Sequence, residues 1–94
     1  MRLTDEEVTL LKQSLSSLSG EAQLYLFGSR VDDDKRGGDI DLLVVSSHLT
    51  KRDLRQLRID FCRRFGDQKL DIVLDDGAFN NVFHQTIREK AIRL

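Results

Sequence analysis

Three short runs constrain this chain most: AQLYLF at 22–27, DIDLLVV at 39–45 and KLDIVL at 69–74 are rich in strand formers and too short for helices of their own. Alternation gives each run two faces. In the second, Ile40, Leu42 and Val44 share one face, while Asp39, Asp41, Leu43 and Val45 share the other. In the third, Leu70, Ile72 and Leu74 oppose Lys69, Asp71 and Val73. Helical spacing fills the intervals. Thr4 and Glu7 form a capping box ahead of Val8, Leu11, Leu15 and Leu18, and the helix closes near Gly20. Thr50 and Asp53 give a second capping signal ahead of Leu54, Leu57, Phe61 and Phe65, with a C-cap at Gly66. A last helix is expected to start between Asp76 and Ala78, with Phe79, Val82, Phe83, Ile87 and Ala91 at helical spacing, and the final AIRL could turn extended. The expected order is α-β-β-α-β-α, an α/β (α+β) fold with a small mixed three- or four-stranded sheet packed with helices. A polar loop between the first two runs suits an antiparallel pair, whereas a helix between the second and third leaves their relative sense open.

Ninety-four residues predict a single domain over 1–94, with one core and little surface for a separate substrate lobe. Fifteen basic and sixteen acidic residues give a net charge of -1, so no global field gathers nucleic acid, which is not expected as a partner. Twelve of the sixteen acids are Asp, and eight of those fall in 32–41 and 71–76. Asp competes with helical backbone for hydrogen bonds, so such clustering marks turns, a hard-cation site, or both. A lone Cys62 excludes an internal disulfide and reads as a core residue of a chain in a reducing compartment. The N-terminal MRLTDEEV lacks the apolar stretch of a signal peptide, no run is long enough to span a membrane, and the expected location is cytoplasmic.

Asp39 and Asp41 leave the same strand face about 6.6 Å apart, a spacing at which two carboxylates can share cations. Two like charges beside Leu43 and Val45 are expensive unless compensated; the bland alternative is a pair of strand-end carboxylates in water. Gly28 and Ser29 follow the first strand, where a glycine lets backbone amides approach an oxyanion and a hydroxyl can donate to it, although most such pairs are ordinary turns. If the first two strands pair, this turn meets the two carboxylates at one edge. Asp71 is a third acid, isolated in an apolar strand, which could reach the same metal and take a proton if its strand borders the second; otherwise it pairs with a nearby Arg.

The stretch LFGSRVDDDKRGGDIDLLVV, with LDIVL further on, resembles the polymerase-beta-like nucleotidyltransferase superfamily, specifically its minimal nucleotidyltransferase branch, over Leu24 to Leu74. The resemblance implies a polymerase-beta palm-like fold in which Gly28 and Ser29 hold nucleotide phosphates and Asp39, Asp41 and Asp71 bind Mg2+, two ions in all, with Asp71 as base. Arg30 is placed with the phosphate ligands or against a partner, the alternative being a solvated turn residue. The resemblance also implies transfer of a nucleoside monophosphate, AMP from ATP, to a hydroxyl of a HEPN-type helical partner, so that the chain acts as an antitoxin. Two other readings stay open: a non-catalytic nucleotide-binding antitoxin that neutralises its partner by covering it, and a transferase subunit acting on a small molecule such as an aminoglycoside. A homodimer or hetero-oligomer is expected, because so short a chain has little left with which to recognise an acceptor.

Other features carry less. Asp32 to Asp34 do not fit a calcium loop, since the required spacing would put Arg36 and Leu43 at ligand positions. The sequence has no P-loop and no dinucleotide-binding glycine pattern. The basic helix 51–64 reads as a solvated face, without the interleaved aromatics of a base-stacking surface. His48 reads as a loop residue, His84 as a helix-surface residue, and Phe79 with Phe83 as core.

Overall fold

The computed structural model describes residues 3–28 and 39–94, Asp39 by its backbone alone. Among the described residues seven elements follow in the order α1 (Asp5–Leu18), β1 (Gln23–Phe27), β2 (Asp39–Val45), α2 (Lys51–Phe65), β3 (Lys69–Asp75), α3 (Val82–Lys90) and β4 (Ile92–Arg93). Both expected capping boxes form. The Glu7 amide donates to Thr4 Oγ1 at 3.1 Å and the Thr4 amide donates to Glu7 Oε1 at 2.9 Å, with the same exchange between Thr50 and Asp53. Gly66 ends α2 at φ 85°, a left-handed position where a side chain would be strained.

The strands form one mixed sheet in the order β3-β2-β1-β4. β1 pairs antiparallel with β2 and with the two-residue β4, while β2 and β3 run parallel. The observed pairing of β2 with β3 gives the sense that sequence left open, and α2 supplies the long connection that a parallel pair needs. Alternation then distributes the side chains. Leu24, Leu26, Ile40, Leu42, Val44 and Leu70 are buried together with Leu11 and Leu15 of α1 and Leu54, Leu57 and Phe61 of α2 in one core on the helix-covered face. Leu43 and Ile87 are buried outside that core, on the other face, where α3 lies.

The last helix corrects the sequence reading. It starts at Val82 rather than between Asp76 and Ala78, because the Asp75 carboxylate accepts the backbone N–H groups of Gly77 (2.8 Å) and Phe79 (3.1 Å) and holds that segment as a turn. Phe79 takes φ 52° there, and Asn81 caps the helix by accepting from the Phe83 amide at 2.8 Å. The apolar period also misleads at Phe83, which is 61% exposed and no core residue.

Candidate active site

The register of the two parallel strands sets the site. β2 and β3 align Asp41 directly with Asp71, and Asp39 with Lys69, while β1 aligns Phe27 with Asp41. Paired residues share a face, so Phe27, Asp41 and Asp71 form one row across three strands, with adjacent Cα atoms about 5 Å apart. Asp39 lies one row away on the same strand, and its side chain is outside the described residues. This face is the one opposite the main core, which gives Asp71 its exposure and Asp41 a partly buried position.

Gly28 follows β1 at φ 76°, where glycine alone is unstrained. A second constraint acts at the same atom. A Cβ on Gly28 would collide with the Asp41 carboxylate, overlapping Oδ2 and coming within 3.0 Å of Cγ. The turn and the acid are therefore built against each other, with no room between them for a side chain. Ser29 and Arg30, the other expected phosphate contacts, lie outside the described residues, as does Asp32 to Asp34. The donor set that is described, carboxylate oxygens on one row, suits a hard divalent cation. Among the described residues no three acidic, histidine or cysteine side chains converge on one metal position.

A comparison with protein-family models matches residues 8–93 to the nucleotidyltransferase domain. The chain belongs to the nucleotidyltransferase domain family. Its mixed sheet with helices is the fold expected of such a domain, and nucleotidyl transfer is the activity the family supports. A comparison with curated proteins finds no match. No helix among the described residues of this nucleotidyltransferase domain is long and apolar enough to cross a membrane.

The nucleotidyltransferase domain also carries a polar cluster that sequence reading missed. At the far end of β3, the Asp75 side chain is 4% exposed and lies 2.7 Å from His84 Nδ1, so His84 faces inward rather than lying on the helix surface. Burial pushes the Asp75 carboxyl up, but the donors from His84, Gly77 and Phe79 outweigh it and hold the carboxyl below its ordinary range. The signal was available: His84 precedes the buried Ile87 by three positions and therefore shares its helix face. The pair borders an open depression of about 330 Å³ lined by Ser46, Ser47, Asn80 and Asn81 among others. Nearby, Ser46 donates to Glu21 Oε1 at 2.7 Å and accepts from the amides of His48 and Leu49, tying the end of β2 to the chain on both sides. Ser46, with Ser19, holds the Glu21 carboxyl below its usual value. His48 itself is an exposed loop residue, as its sequence position implied. Cys62 is only partly buried, its thiol donating to the Gln68 carbonyl at 3.5 Å.

Proposed function

We propose that this nucleotidyltransferase domain transfers AMP from ATP to a hydroxyl of a HEPN-type partner protein and thereby acts as an antitoxin. The observation that carries the reading is the row of Asp41 and Asp71 on adjacent parallel strands, with Gly28 packed against the Asp41 carboxylate. Two carboxylates aligned on one row can share a cation, which offsets their mutual repulsion. In this reading Asp39, Asp41 and Asp71 hold two magnesium ions, which when bound offset triphosphate charge and make its α-phosphorus more electrophilic. Gly28, Ser29 and Arg30 bind the phosphates, and the glycine lets the backbone come close. Asp71, exposed on the outer of the two parallel strands, takes the proton of the acceptor hydroxyl. The hydroxyl oxygen bonds to the α-phosphorus, the bond from that phosphorus to the bridging oxygen breaks, and pyrophosphate leaves. The resemblance of Leu24 to Leu74 to minimal nucleotidyltransferases supports the choice of partner and of AMP.

The test is incubation with magnesium, ATP and a HEPN-type helical protein as the candidate partner, read by intact-protein mass spectrometry. The expected adduct has the mass of one or more AMP groups, and Asp41→Asn and Asp71→Asn each lower its rate by about a hundred- to a thousandfold. No adduct on that partner would remove the protein-acceptor reading. An Asp41→Asn chain that still relieves the partner's toxicity would show neutralisation by covering rather than by catalysis.

A further inference from the structure

Among the described residues β3 is the last strand on its side of the sheet. The Asp75 carbonyl accepts from the Ser46 amide at 3.0 Å, across the β2–β3 boundary, so the odd-numbered residues of β3 aim their backbone groups at β2 and the even-numbered ones aim outward. Two outward carbonyls are occupied from α2. Cys62 Sγ donates to Gln68 O just before the strand, and Arg58 Nη2 donates to Leu70 O at 2.8 Å. Among the described residues this cover stops at Leu70, leaving the outward amides and carbonyls of Ile72 and Leu74 as an open edge.

A charge pattern runs beside that edge. Lys51, Arg55, Arg58 and Cys62 are spaced by four, three and four residues, which places them along one stripe of α2. The stripe tracks β3, and Lys51, Leu54, Arg55, Arg58 and Ile72 line a groove of about 270 Å³. Lys51 and Arg55 are exposed and have no carboxylate within ion-pair distance among the described residues.

From the coincidence of open edge and unpaired cations we propose that this side of the sheet docks an extended acidic segment of a partner protein, which adds as a further strand beside β3. The segment's backbone pairs with Ile72 and Leu74, and its carboxylates meet Lys51 and Arg55. Nucleic acid fits the edge poorly, because its backbone of phosphates does not present the alternating donors and acceptors at strand spacing that the outward amides and carbonyls require. A second copy fits poorly too, since edge-to-edge pairing brings two stripes of like charge together. The inference does not depend on the acid row, which lies on the other face of the sheet.

The experiment uses the whole chain and two capped hexapeptides, one alternating Glu with Val and one alternating Lys with Val, with poly(U) RNA as a third probe. Expected with the acidic peptide is amide hydrogen exchange at Ile72 and Leu74 slowed at least about tenfold, with binding that weakens as salt rises. Lys51→Glu/Arg55→Glu should weaken binding about tenfold or more, and the milder Lys51→Gln/Arg55→Gln serves if charge reversal alters the melting temperature. No slowing at Ile72 and Leu74 with millimolar acidic peptide overturns the proposal. So does equal binding of the basic peptide, or poly(U) protecting the same amides.

Discussion

Gly28 answers to two demands at one atom. Its φ of 76° lies where a side chain is strained, and the space a Cβ would take belongs to the Asp41 carboxylate. Gly28→Ala is therefore expected to lower stability by about 1–3 kcal/mol, measured by urea denaturation. It should also lower transfer about a hundredfold, because the acid must shift to admit the methyl group. Asp75 is the second residue whose effect follows from geometry. Its buried carboxylate accepts from two backbone amides and His84, so Asp75→Asn should cost about 1–3 kcal/mol near neutral pH. The carboxyl is held below its ordinary value, so the stability it contributes is complete above the usual carboxylate range, near 3.9, and is lost as pH falls through the lowered value. The melting-temperature gap between wild type and Asp75→Asn should accordingly narrow below about pH 4. A gap that stays constant into strong acid would contradict this account.

At the scale of elements, local sequence determines the helix starts where a side chain can cap, and misleads where a neighbouring carboxylate takes the same backbone amides into a turn. Thr50 caps α2 with Asp53 in return, and Thr50→Ala should lower stability by about 1 kcal/mol, read as a shift of the urea midpoint. The Asp76–Ala78 segment has helical spacing downstream but loses its first turn to the Asp75 carboxylate, so α3 waits for Asn81. The same helix leaves Phe83 mostly exposed, and Phe83→Ser is expected to change stability by no more than about 0.5 kcal/mol. A large loss would mean that Phe83 is covered in solution.

The whole molecule depends on a core two layers deep, helices on sheet, with Phe61 fully buried where α2 meets the strands. Phe61→Ala should cost about 3–5 kcal/mol, a large part of the roughly 5–15 kcal/mol available to a domain, and the urea midpoint should fall accordingly. If the acid row holds magnesium and nucleotide, the two together at millimolar concentration raise the melting temperature, and an unchanged curve would count against an intact site. Much of this architecture was legible in the residues. Short strand-forming runs located β1, β2 and β3 and capping boxes located α1 and α2, because each of these depends on neighbours in the chain. Residues distant in sequence were settled only by folding. The register that aligns Asp41 with Asp71, the packing of Gly28 on Asp41 and the inward turn of His84 toward Asp75 depend on which elements border which, whereas the delayed start of α3 is local, set by the Asp75 carboxylate taking the Gly77 and Phe79 amides. Local period fixes which way a side chain points, whereas packing of the whole sheet fixes what it meets.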